Sequence, residues 1–187
     1  MFEIDDHIIV GRVLAGDRNA FGMLVSKYQV PIYNLMVRSV PSAEDAAELA
    51  QDVFLKAFAR IETYRPSGNK FFSWLYAIGL NTARDYLRRI QRWKIVVPHG
   101  LNPYDEQGTP GGDGGADDSE QTLADMQTLR QVLALLPMNQ RETLILKYRY
   151  GMTMQEIADI FDISASAVKM RIHRGLAEMR RCMVNED

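Results

Sequence analysis

Residues Thr153–Arg181 read TMQEIADIFDISASAVKMRIHRGLAEMRR, and this stretch decides the fold. Thr153 and Glu156 stand in capping-box spacing, so the threonine hydroxyl can accept from a first-turn backbone N–H while the glutamate reaches back. Ile157, Ala158, Ile160 and Phe161 form the buried stripe of a short helix, Asp162 and Ile163 make a turn, and Ser164 is a good N-cap for a second helix. There Val168, Ile172, Leu176 and Met179 recur at helical spacing. At roughly 100° per residue, Ser166, Met170, His173, Arg174, Ala177 and Arg181 fall opposite that stripe, with Lys169, Arg171 and Arg180 on its flanks. Between Lys169 and Arg181 five Lys or Arg stand against one acid, Glu178, a local charge of +4. A basic terminal helix can be merely a solvated face. The tight turn, the small Ala158 where two helices approach and two caps in register favour a helix-turn-helix whose second helix meets a major groove.

The rest of the chain is helical by the same reading, with no strand alternation and no internal repeat, so the fold class is all-α. Ile95–Ser119 holds six Gly, three Pro and a cluster of acids in 25 residues, too little apolar surface to fold alone. It divides the chain into a block at 1–94, a flexible acidic linker at 95–119 and a block at 120–187. The net charge of -2 hides a segregation: Arg84–Lys94 carries five bases against Asp85, while Asn102–Glu120 carries six acids and no base. Cys182 is the only cysteine, so no intramolecular disulfide is possible and a reducing compartment is the expected home. The acidic N-terminal stretch lacks a secretion signal and nothing later approaches a membrane span, so a cytoplasmic protein is expected.

In the C-terminal block, Leu123, Met126, Leu129, Leu133 and Leu136 predict a helix stopped by Pro137. Asn139 and Glu142 predict a capping box opening another, with Leu144, Ile145 and Tyr148 inside and Gly151 at its end. The N-terminal block predicts a helix from about Asp6 to Ala15, then one capped by Asn19 that Pro31 should kink or divide, then one starting at Ser42 and Asp45. That third helix buries Ala46, Ala50, Val53, Phe54, Ala57, Phe58 and Ile61 and turns Glu44, Asp45, Glu48, Gln51 and Asp52 outward. Acids at an N-terminus match the helix dipole on a solvent face; they also suit docking of a basic partner. The fourth helix, from about Lys70 to Arg92, spaces Phe71, Trp74, Leu75 and Ile78 for burial and steps Asn81, Arg84, Arg88 and Arg92 along another face. Before it, the polar loop TYRPSGNK offers Arg65 and Lys70 to phosphates and Asn69 to a base edge, so aromatics beside a cationic loop could hold an unstacked base. Phe71 and Phe72 are adjacent and cannot be buried equally; one of them lines any such pocket.

The ordered set GDRNAFGMLVSKY, SAEDAAELAQDVFLKAF, FFSWLYAIGLNTARDYLRR, a flexible linker and LPMNQRETLILKYRYGMTMQEIADIFDISASAVKMRIHR resembles the extracytoplasmic-function sigma factors of bacteria, over nearly the whole chain. The resemblance implies a region 2 helical bundle at 1–94 that binds the clamp of core RNA polymerase and the melted −10 element, and a region 4 helix-turn-helix domain at 120–187 that reads the −35 duplex. By that likeness Asp45, Glu48, Gln51, Asp52 and Phe54 are polymerase contacts, and the acidic face is a docking surface. Asn69, Lys70, Phe71, Asn81, Arg84 and Arg88 meet the −10 element, and Ser166, Lys169, Met170, Arg171, His173 and Arg174 meet the −35 element. Met170 departs from the family pattern and is confined to apolar or shape contacts, such as one to a thymine methyl. The partners implied are core polymerase through its clamp and flap, promoter DNA in duplex and single-stranded form, and an anti-sigma factor; no cofactor, metal or membrane insertion is implied. The linker's acids could mimic nucleic acid near the RNA exit path or serve as a solvated tether. A ligand-sensing helix-turn-helix repressor would share the C-terminal block but act without polymerase. An enzyme finds no support, because His7, His99 and His173 are scattered without acid or Cys partners and no phosphate loop precedes a helix.

Overall fold

The computed structural model describes residues 5–65, 70–96 and 120–184, all of their regular structure helical. The chain divides into two compact units, Met1–Pro110 and Gly111–Asp187. The predicted linker lies almost wholly outside the described residues.

The first unit holds α1 (Asp6–Leu14), α2 (Phe21–Val37), α3 (Ala43–Ala59) and α4 (Phe71–Val96). Helix α2 packs on α3, α3 on α4 and α2 on α4, so the core is a three-helix seam closed by α1. Leu24, Ile32, Leu35 and Met36 meet Ala46, Val53 and Ala57 and then Leu75, Tyr76 and Leu80, all fully buried. Burial on this scale supplies the driving force, at about 25 cal/mol per Å² of apolar surface. Gly79 allows α4 to lie close to α2: a Cβ there would stand 2.9 Å from Leu35 Cδ2.

Three expectations are corrected in this unit. Asp17, not Asn19, caps the approach to α2: its side chain accepts from the Ala20 N–H, and a 3-10 turn, Arg18–Ala20, leads into the helix. Pro31 does not divide α2, which runs 17 residues through it, because one missing N–H in a helix packed on two sides is outweighed by the buried stripe. Helix α4 continues to Val96, beyond the end expected near Arg92. The start of α3 is as read, with the Ser42 hydroxyl accepting from the Glu44 and Asp45 N–H groups.

The second unit holds α5 (Glu120–Leu135), α6 (Met138–Tyr148), α7 (Met154–Phe161) and α8 (Ala165–Val184). Val132, Leu136, Leu144, Leu146, Ile157, Ala158, Phe161, Val168 and Ile172 form its core. The capping box at the start of α7 is closed: the Thr153 N–H donates to Glu156 Oε2 at 2.8 Å and the Glu156 N–H to Thr153 Oγ1 at 3.2 Å. Asp162 ends α7 in the left-handed region at φ 54°, and the Ile163 N–H turns back to the Ala158 carbonyl at 3.0 Å. Ser164 then caps α8, its hydroxyl accepting from the Ala167 N–H at 3.2 Å.

Here too the structure departs from the sequence reading. Asn139 and Glu142 form no capping box, since Pro137 occupies the N-cap of α6 and Glu142 is fully buried, 3.4 Å from Arg141 Nε. Tyr148, expected inside α6, is 63% exposed at its end; along α5 Leu129 is 43% exposed while Val132 is buried with Leu136 just beyond it, so the apolar stripe is rotated from its expected register. The side chains of Leu123 and Met126 lie outside the described residues.

Glycine substitutions test the α2–α4 approach. Ala favours a helix interior over Gly by about 1 kcal/mol. Gly11→Ala, where a Cβ meets nothing within 4 Å, should therefore raise the thermal midpoint. Gly79→Ala should lower it, because overpacking against Leu35 costs about 1–3 kcal/mol and outweighs that gain. Thermal unfolding followed by circular dichroism reads both.

Candidate polymerase and promoter surfaces

Helix α3 presents a narrow outward stripe. Glu44, Glu48, Gln51 and Asp52 are exposed, and Leu55, 67% exposed, sits among them. The sequence reading missed Leu55 because a lone apolar residue carries no signal until the helix is docked. Two residues expected on this face are placed elsewhere. Phe54, placed in the buried stripe by its spacing and among the polymerase contacts by the resemblance, is buried at 9% exposure, as the spacing reads. Asp45 is half-buried, and its carboxylate accepts a 2.6 Å hydrogen bond from the Tyr86 hydroxyl of α4. A second bridge joins the same helices, from Lys56 Nζ to Thr82 Oγ1 at 3.1 Å.

The outer face of α4 carries the predicted polar row. Asn81 is exposed and accepts from Arg84 Nη1 at 3.3 Å, while Arg88 is exposed beside Asp85 at 3.6 Å. Burial and the neighbouring Arg88 charge push the Arg84 guanidinium below its ordinary value, as expected of cations gathered where an anion would relieve them. Lys70 is exposed at the helix entry, and Asn69 lies outside the described residues.

An aromatic cluster roofs this entry. Tyr28 stacks on Phe72 with ring centroids 5.3 Å apart, Phe72 meets Tyr76 at 5.4 Å, and Tyr64 meets both Phe71 and Trp74. Phe71 is 1% exposed, which corrects its assignment as a base contact: its ring is covered on both faces. Phe72, half-buried, is the ring of that adjacent pair with surface left for a ligand. Helix α1 is clipped to the cluster by Asp6, which accepts from Tyr28 at 2.5 Å and pairs with Lys27 at 3.0 Å, and by His7, 3.2 Å from the Tyr64 hydroxyl. Sequence order gave no hint of this convergence, since α1, α2 and the loop before α4 are far apart along the chain.

On α8 the outward side chains are Ser166, Lys169, Met170, His173 and Arg174, all exposed. Gly175 is buried against Leu144, where a Cβ would stand 3.0 Å from Cδ1, so α8 lies close on α6. Arg171 is turned away from its expected partners: its guanidinium lies over the Phe161 ring at 4.7 Å and braces α8 to α7. Arg181 is paired with Glu178. No helix among the described residues is long and apolar enough to cross a membrane.

Both units match known protein regions. Residues 24–94 match Sigma-70 region 2, and residues 126–179 match Sigma-70, region 4. The chain is 32% identical to the RNA polymerase sigma-H factor of Pseudomonas aeruginosa, over 90% of this chain and 89% of that one. It is 31% identical to the ECF RNA polymerase sigma-E factor of Escherichia coli strain K12, over 92% of this chain and 91% of that one. In fold it resembles the sigma factor RpoE solved in complex with the anti-sigma factor NepR from Bartonella quintana. The TM-score is 0.71 at 20% identity, over 87% of this chain and 96% of that chain.

The Asp45–Tyr86 bond has a pH signature. Burial, then the Asp45 hydrogen bond and charge, push the Tyr86 phenol up to about 12; burial, Asp6 and Asp5 do the same to Tyr64. A raised phenol stabilises the fold fully below the ordinary tyrosine value near 10 and loses that contribution as pH climbs toward about 12. The thermal midpoint should fall across this window. In Tyr86→Phe the fall should be shallower; parallel declines in both proteins would remove the bond from the account.

Proposed function

The chain belongs to the sigma-70 family, among its extracytoplasmic-function members, and on that premise we propose how its two units divide the work of a sigma factor. As a member of that family it is a transcription initiation factor that binds core RNA polymerase and directs it to promoters. Residues 1–94 dock on the polymerase clamp and hold the melted −10 element. Residues 120–187 read the −35 duplex and reach the flap, and residues 95–119 tether the two. The observation that carries this division is that regions 2 and 4 match in that order on one chain, each with an exposed charged helix face of its own.

Docking falls to Glu48, Gln51 and Asp52, with Leu55 at their centre. Asp45 contributes through Tyr86. Lys70, Arg84 and Arg88 take phosphates of the melted strand, Asn81 takes a polar contact and Phe72 stacks on a base. Lys169 and Arg174 grip the distal duplex with Ser166, Met170 and His173 between them, and Arg171 acts by fixing the pitch of α8. None of these steps needs bond chemistry, so we assign no catalysis to the chain. Two weak contacts joined by a tether and seated on one platform gain affinity through effective concentration, and only a correctly spaced promoter engages both. Trapping an extruded base offsets the few kcal/mol of unstacking.

The fold neighbour from Bartonella quintana is held by an anti-sigma factor. We extend that mode of control to this chain, which then acts in the cytoplasm and waits for release. A stand-alone regulator is not favoured, because it leaves the region 2 match without a purpose.

Arg174→Ala should weaken selection of the −35 duplex by about 1–3 kcal/mol while co-purification with core polymerase is unchanged. Asp52→Lys should abolish co-purification and spare the folded C-terminal unit. Equal loss of polymerase association in both variants would overturn the division. DNA binding by the purified chain with and without core polymerase separates the sigma reading from the stand-alone regulator.

A further inference from the structure

The buried side of α8 is defined by Val168, Ile172 and Gly175, with Leu176 and Met179 half-covered on its edges. At roughly 100° per residue, Met170 and Ala177 stand opposite that stripe, and Met170 is 52% exposed. Ser166 and Ala177, both small and exposed, continue Met170 into a ridge along the helix. Lys169 and His173 stand on one shoulder of that ridge and Arg174 on the other. The guanidinium of Arg171 is drawn back onto Phe161 and leaves the ridge clear.

A single exposed methionine is unremarkable on most surfaces. This one occupies the apex of a cation-flanked helix face, the part that reaches the floor of a major groove when the shoulders meet phosphates. On that floor guanine, cytosine and adenine offer donors and acceptors, and the only apolar group is the C5 methyl of thymine. From Ser166 to Ala177 the chain has no Asn or Gln to pair with adenine and no Asp or Glu to accept from cytosine. At the Met170 position itself, where the side chain offers neither donor nor acceptor, a base pair is read through the thymine methyl, while Ser166, His173, Lys169 and Arg174 keep the hydrogen-bonding contacts around it. An unbranched, polarisable thioether adapts its shape to such a contact.

Resting on the assignment of α8 to the −35 duplex, we infer that Met170 is a specificity-determining residue that reads one thymine of the distal element through its C5 methyl. Burying that methyl against Met170 corresponds to about fourfold in affinity, from ~0.8 kcal/mol per buried carbon.

The test uses holoenzyme reconstituted from the full chain and core polymerase. Wild type, Met170→Ala and Met170→Leu each select from a duplex library randomised across the −35 region. Each thymine enriched by wild type is then replaced singly by deoxyuridine, which removes only the methyl. The expected result is one position where deoxyuridine weakens wild type and Met170→Leu about fourfold and leaves Met170→Ala unaffected. Equal response of wild type and Met170→Ala to deoxyuridine at every position overturns the inference while leaving the sigma reading intact. If wild-type holoenzyme enriches no duplex at all, the promoter assignment of α8 falls and the inference with it. Met170 is exposed, so its replacement leaves the core intact, and thermal unfolding of each purified variant by circular dichroism checks that it is folded.

Discussion

An α-helix turns once in about 3.6 residues, so burying one stripe fixes which side chains remain for anything else. This constraint runs through α3, α4 and α8. In α3 the burial of Ala46, Val53 and Ala57 leaves Glu48, Gln51, Asp52 and Leu55 outward. In α8 the burial of Val168, Ile172 and Gly175 leaves Met170 at the apex with cations beside it. Stability and recognition are thus written on opposite sides of the same helices. Residues near the border, such as Phe54 and Arg171, are where the two are hardest to separate.

The region 2 unit adds a second layer of organisation through polar and aromatic bridges. Asp45 with Tyr86 and Lys56 with Thr82 tie α3 to α4, while Asp6 and His7 tie α1 to the rings around Phe71. Partly buried hydrogen bonds contribute modestly each, about 0.5–1.5 kcal/mol, but they fix angles that apolar packing alone leaves soft. The exposed acids of α3 and the cations of α4 are held in fixed relation because their helices are joined behind both surfaces.

Much of this was legible in the sequence. The capping box at Thr153, the Ser164 cap and the buried stripe of α7 depend on residues within one or two turns, and periodicity reports such local chemistry well. The outward faces of α3 and α8 followed from the same arithmetic. What stayed hidden depends on neighbours distant in sequence. Spacing put Phe71 on the buried stripe while the resemblance made it a base contact, and the conflict is decided only when Tyr28 and Tyr64 arrive to cover it. Arg171 counts as a groove cation until Phe161 offers its ring. Asn139 and Glu142 have capping spacing, yet Pro137 already holds that position and Glu142 is drawn into the interior. Pro31 was expected to kink or divide its helix, and the helix runs through it undivided.

Consider finally the two struts between α3 and α4. A pair of rods joined at one point can swivel; joined at two, they transmit torque as a single beam. Asp45–Tyr86 and Lys56–Thr82 join α3 to α4 at two such points, so the acidic face of the one helix and the cationic row of the other resist swivelling against each other.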